Sequence, residues 1–229
     1  MAYDDDHDRR NAEAAAEADK NGWPALTGSY KQADWATTIR SGVLATLREL
    51  VGPFQAAHFP GRPRVAEELT DILLGRTGAP WWIELREMGP VSLAAGVDLP
   101  RVLRALDAMP ALDTGLPHTS AQVYVPVQYT EGAPWPRVDT VRGAVCSCGW
   151  SCGTVAGAFE SFTLLPRHIQ ALPREDLVTV AQAHPETPHG CPDSVGTGGH
   201  VVPYAGCSTQ NIIRTYVESL RRKKERAGH

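Results

Sequence analysis

Apolar residues recur at spacings of three and four through the first half of the chain. Behind Ser29-Tyr30-Lys31-Gln32, they fall at Trp35, Ile39, Val43, Leu47 and Leu50, one face of a helix. Ser29 stands three residues before Gln32, the capping-box arrangement that starts a helix, and Gly52-Pro53 is predicted to end it. A second helix fits Arg64–Leu74, with Val65, Leu69, Ile72 and Leu73 on its apolar side and Gly75 as its stop. A third opens at Pro80 and runs to Gly89-Pro90, with Trp81, Leu85 and Met88 along one side. Ser92–Ala95, a turn at Gly96-Val97 and a further helix over Asp98–Met109 complete this half.

After Pro110 the period shortens to two. Gln122–Tyr129 alternates as a strand does, and Pro126 confines it to an edge or a bulge because proline cannot donate to a ladder. Thr140–Cys148 is a second strand candidate. Helices are predicted at Ala156–Leu165 and Arg174–Ala183. A closing amphipathic helix over Thr209–Arg226 carries Ile212, Ile213, Tyr216, Val217 and Leu220. Residues 1–25 are charged and alanine-rich, with Asp4, Asp5, Asp6 and Asp8 together. They read as a disordered acidic tail with room for a short helix over Ala12–Lys20. The expected fold class is therefore α+β. A helical module over 26–110 precedes a Cys/His-rich mixed module over 118–229, with the boundary in Pro110–Pro117.

Composition narrows the setting. The 229 residues are 42% hydrophobic and 21% charged, enough apolar surface for a core. A net charge of −4 argues against wholesale coating of nucleic acid while leaving room for local basic patches. No segment approaches the ~20 consecutive apolar residues of a membrane span. The opening MAYDDDHDRR is acidic where a secretory signal would be basic and then apolar, so a cytoplasmic location with no membrane partner is expected. Five cysteines in that compartment point to thiols or metal ligands rather than a disulfide framework.

The candidate chemistry gathers in Cys146-Ser147-Cys148-Gly149-Trp150-Ser151-Cys152 and in His184-Pro185-Glu186-Thr187-Pro188-His189-Gly190-Cys191. Structural zinc takes four thiolate or imidazole ligands. The expected set is Cys146 and Cys148 with two of His184, His189 and Cys191. An iron–sulfur cluster could draw on Cys146, Cys148, Cys152 and Cys191, but the two imidazoles favour zinc. Cys152 and Cys207 are expected to be buried apolar residues, and His168 and His200 surface or turn residues. Cys-x-Cys-Gly-Trp followed by a helix and a histidine resembles a segment of small actinobacterial zinc modules. That resemblance implies a metal knuckle with the histidine as a later ligand. For catalytic zinc, His184-Pro185-Glu186 offers Glu186 as a base, yet the Pro-Cys-x-x-Cys partner and any His-Glu-x-x-His are missing.

Two features bear on nucleic acid. Ser92–Leu106 resembles a helix-turn-helix that would expose Arg101 and Arg104, and Arg221, Arg222, Lys223 and Lys224 form a basic run. Packed helices and a solvated helix end are the plainer alternatives for these features. Trp35, Trp81 and Trp82 are expected to fill a helical core rather than form a base-stacking platform. Leu26–Arg40 (LTGSYKQADWATTIR) and Thr77–Glu87 (TGAPWWIELRE) resemble segments of uncharacterised bacterial proteins often carried on mobile elements. The resemblance implies a shared helical module and that genetic setting, without a chemistry. The resulting expectation is a non-enzymatic, zinc-stabilised binding or accessory protein contacting nucleic acid or a protein partner. A zinc-dependent hydrolase using Glu186 and a pure protein-interaction module are the alternatives.

Overall fold

The computed structural model describes residues 2–58, 64–110, 112, 113, 115, 117–129, 137–153, 159–183 and 208–227. The fold is α+β, with helices preceding a small sheet. The chain divides into two compact units. The first comprises Met1–Leu106 with Pro126–Thr140, and the second Asp107–Val125 with Val141–His229. The division thus falls at Leu106, earlier than the Pro110–Pro117 stretch, and 126–140 joins the first unit.

In the first unit, α1 (Ala2–Lys20) replaces the expected acidic tail. Its small residues Ala14 and Ala18 are buried, and its polar residues are tied to α2 (Tyr30–His58). Asn11 donates to Asp34 at 2.7 Å and accepts from Thr38 at 2.6 Å, while Glu17 accepts from Ser41 at 2.5 Å and from Arg48 at 2.9 Å. Alanine is the best helix former and allows close approach, so few apolar side chains suffice to dock this segment.

The capping box at the start of α2 forms as expected: Ser29 N donates to Gln32 Oε1 at 3.0 Å, and Gln32 N to Ser29 Oγ at 3.4 Å. The helix then continues across Gly52-Pro53 to His58, forgoing the hydrogen bond that proline cannot donate. Its buried stripe is Ala36, Arg40, Leu44 and Leu47, which leaves Trp35 42% exposed under the Arg86 guanidinium. Leu47 is buried as expected, but the three positions before it are each shifted by one residue. Arg40 takes a place in the buried stripe. Its stem is buried, its guanidinium lies over Trp23, and Nη1 donates to the Pro24 carbonyl at 2.7 Å.

α3 (Val65–Leu74) buries Val65, Leu69, Ile72 and Leu73, the residues its sequence marks, and Gly75 caps it. α4 (Ala79–Glu84) carries Pro80 in its first turn and buries Ala79 and Trp82 rather than Trp81. A hydrogen bond decides between the two indoles: Trp82 Nε1 donates to the Arg76 carbonyl at 2.9 Å, which makes its burial tolerable. α5 (Pro90–Ala105) is two helical segments joined at Asp98, whose backbone leaves helical geometry (φ −147°, ψ 82°). Asp98 Oδ1 accepts from Arg101 N at 3.0 Å and so caps the second segment, moving the turn just beyond the expected Gly96-Val97. Asp139 accepts from Val91 N at 2.7 Å, from Ser92 N, and from the Ser92 hydroxyl, fixing the start of α5.

The sheet is ordered β1 (Ser120–Tyr129), β2 (Arg137–Cys146), β3 (Ser151–Gly153). Among the described strands β1 lies at the edge, where Pro126 is admissible. β2 and β3 are antiparallel, with Gly143, Ala144 and Val145 opposite Gly153, Cys152 and Ser151. α6 (Phe159–Gln170), α7 (Arg174–Ala183) and α8 (Ser208–Ala227) follow. The buried cluster of the second unit is Ala144, Leu165, Ile169, Val180 and Ile213, with Trp150, Cys152, Leu177 and Ile212 packed at its rim. No described helix is long and apolar enough to cross a membrane.

Candidate metal centre

β2 ends at Cys146, which is buried, and the chain reverses through Ser147-Cys148-Gly149 into β3. Cys146 closes the reversal from both sides: its N–H donates to the Trp150 carbonyl at 2.9 Å, and its carbonyl accepts from Gly149 N at 3.0 Å. Gly149 sits at φ 91°, a conformation that disfavours any side chain. Ser147 N also donates to the Thr119 carbonyl at 2.8 Å, which pins the residues before β1 beside the turn. This brings His118 to the knuckle. His118 itself adopts φ 54°, uncommon for a residue with a side chain. From the other side, the last turn of α6 supplies His168.

The ligand atoms of His118, Cys146, Cys148 and His168 all lie within 4.8 Å of one another, close enough to hold one metal ion. Cys146 Sγ is 3.6 Å from His118 Nδ1, and Cys148 Sγ is 3.4 Å from His168 Nε2. A tetrahedron with metal–sulfur bonds of about 2.3 Å and metal–nitrogen bonds of about 2.0–2.1 Å has sulfur–nitrogen edges of about 3.6 Å. The two measured edges match it. Trp150 stacks on the His168 ring, centroids 4.4 Å apart and 4° from parallel, and so sets the plane of that imidazole.

Burial disfavours the charged forms of both Cys146 and His168. Burial, and next the neighbouring Cys148, push the Cys146 thiol up to about 12, despite backbone N–H groups that pull the other way. Burial and then the charge of His118 push the His168 imidazolium below its ordinary value, so the ring is biased towards the neutral form that can ligate. A divalent cation would supply what the buried thiol lacks, a positive partner for its thiolate.

Of the ligands expected from sequence, the fold brings Cys146 and Cys148 together. His184, His189 and Cys191, with Glu186, lie outside the described residues, as do His200 and Cys207. His168, expected at the surface or in a turn, is half-buried in α6 and faces Cys148, because that helix extends to Gln170 rather than stopping at Leu165. Cys152 is half-buried in β3 against the core. His118 has no counterpart in the expected set. The signal for it lies in topology: when two consecutive strands fold back on each other, the residue before the first returns beside the end of the second.

The segment likened to a helix-turn-helix has its Arg101 engaged elsewhere. The guanidinium is 2.7 Å from Glu68 and 3.7 Å from Asp71, both on α3. Arg104 is exposed. On α8, Arg221, Arg222 and Lys223 are exposed, with Arg221 paired to Glu225 one turn on at 3.2 Å; Lys224 lies in the same run. Comparison with protein-family models, curated proteins and solved structures returned no significant match.

Proposed function

We propose that this chain is a non-enzymatic binding or accessory protein whose second unit is stabilised by a structural zinc ion on His118, Cys146, Cys148 and His168. The observation that carries this reading is the pair of sulfur–nitrogen separations, 3.6 and 3.4 Å, at tetrahedral edge length. Two thiolates and two imidazoles suit zinc, and four protein ligands leave no open position for a reacting water. Among the described residues, the group contains no carboxylate to act as a base. Contact with nucleic acid would run through the exposed cations of α8 rather than Arg101, which Glu68 already holds. The likeness of Leu26–Arg40 and Thr77–Glu87 to mobile-element proteins is in keeping with an accessory role.

Elemental analysis of the purified chain tests the reading, with about one zinc per chain expected. His118→Ala and His168→Ala should each lower zinc occupancy, and His184→Ala and His189→Ala should leave it unchanged. A metal-free preparation from zinc-supplemented growth, or loss of zinc only in the 184 and 189 variants, sinks it. Retardation of duplex DNA that weakens with salt and with charge removal at Arg221, Arg222 and Lys223 would support the partner; no retardation at low salt removes it.

A further inference from the structure

The two sulfurs of the centre differ in access. Cys146 is 3% exposed and closed in by the backbone bonds of its own turn, whereas Cys148 stands on the outer side of that turn, exposed between exposed Ser147 and Gly149. Their sulfur atoms lie within 4.8 Å of each other. Two residues of chain span at most about 7 Å, so the Cα separation can fall in the 4.4–6.8 Å range that a disulfide requires. The third described thiol, Cys152, is half-buried across the ladder from Ala144 and packed against the core.

We infer that Cys148 is an oxidant-addressed modification site through which peroxide opens the centre, an inference that rests on the zinc reading above. The Cys148 thiolate attacks hydrogen peroxide. A sulfur–oxygen bond forms, the oxygen–oxygen bond breaks and hydroxide leaves; sulfur gives up two electrons and peroxide takes them. The Cys146 thiolate then attacks the sulfenic sulfur. A sulfur–sulfur bond forms, the sulfur–oxygen bond breaks, and a second hydroxide departs. Zinc loses two of its four ligands and is released. The tie between the β2–β3 turn and the last turn of α6 goes with it, since His118 and His168 alone cannot fill a tetrahedral site. The site would thus report oxidising conditions as loss of that tie, and a dithiol reductant with zinc would restore it.

The test uses the zinc-loaded full chain, with hydrogen peroxide as oxidant and a chromogenic indicator reading released zinc. A sulfenic-acid trap and peptide mass mapping identify which cysteine reacts first. Zinc release should match the loss of two thiols per metal, with the first trap adduct on Cys148 and a Cys146–Cys148 disulfide at the end point. Cys148 should react faster than Cys152, as an accessible thiolate does against a packed thiol. The Cys152→Ser variant should release zinc at the unchanged rate. Zinc retained through thiol loss, or first modification at Cys152, Cys191 or Cys207, overturns the inference and leaves the zinc reading standing. A chain that carries no zinc before peroxide is added overturns both.

Discussion

Gly89 and Asp139 form a pair whose coupling can be worked out from the structure and measured. Asp139 is 6% exposed, and its carboxylate accepts the N–H groups of Val91 (2.7 Å) and Ser92 (3.2 Å) at the start of α5. Asp139→Ala would leave those two donors buried and unmet. The Ser92 hydroxyl keeps a second acceptor, the Thr140 carbonyl at 2.9 Å, and does not add to the loss. At 1–3 kcal/mol per orphaned donor, with some relaxation, the cost is about 3 kcal/mol. A Cβ placed on Gly89 would lie 2.7 Å from Asp139 Oδ1 and closer still to its Cγ and Oδ2. Gly89→Ala should therefore cost about 2 kcal/mol by overpacking. If the substitutions acted independently, the double variant would lose about 5 kcal/mol. The carboxylate that the added methyl meets is the group Asp139→Ala removes, so the double variant should lose only about 3 kcal/mol, a coupling of about 2 kcal/mol. Urea unfolding of the four proteins, followed by far-ultraviolet circular dichroism, reads these differences. Additivity within about 0.5 kcal/mol would refute the claim that glycine is needed at this position to admit the carboxylate.

Two further outcomes follow from the first unit. Trp82→Ala should cost about 3–5 kcal/mol, because its ring is 1% exposed and its N–H is satisfied. Trp81→Ala, half-buried with Arg76 over its face, should cost about 1 kcal/mol in the same urea assay. The Ser41 hydroxyl, and after it Arg48, hold the Glu17 carboxyl below its ordinary value against the opposing pull of partial burial. A carboxylate lowered in the folded state contributes stability that is present above its unfolded value and lost as pH falls through the folded one. Acidification from about pH 6 to about pH 3 should therefore lower the urea midpoint more steeply in the natural chain than in Glu17→Gln, and equal slopes would count against the α1–α2 tie.

Periodicity makes the elements legible, while partners set their phase and ends. α3 and α7 fall where their patterns place them, and the four apolar residues of α3 are its four buried ones. On α2 the same reasoning places Leu47 but misses the three positions before it by one residue, because it treats arginine as polar. Arg40 instead spends its stem in the core and its head on the Pro24 carbonyl and Trp23. The indole that enters the core is likewise chosen by an acceptor 6 residues away, the Arg76 carbonyl, which no apolar pattern encodes. α1 reads as a tail in sequence because its burial rests on two alanines and on pairs such as Asn11 with Asp34 and Thr38. Local charge conceals such an interface.

The candidate metal site shows where a linear motif stops informing. Cys146-x-Cys148-Gly149 carries its own geometry, since a reversal closed by Cys146 and a left-handed Gly149 sets the two sulfurs side by side. Everything local about the centre is therefore readable. The two imidazoles beside those sulfurs are another matter, because topology, and not the density of histidines along the chain, brings His118 and His168 there. His184 and His189 draw attention by standing together near Cys191, and all three lie outside the described residues. His118 and His168 stand alone in sequence, 28 and 20 residues from the sulfurs they face. A hydrogen bond from Ser147 to Thr119 and the length of α6 bring them in. The four candidate ligands come from three separate pieces of chain, a strand approach, a turn and a helix end. If zinc occupies the site as proposed, removing it should loosen all three together, and the Trp150 ring stacked on His168 is placed to report it.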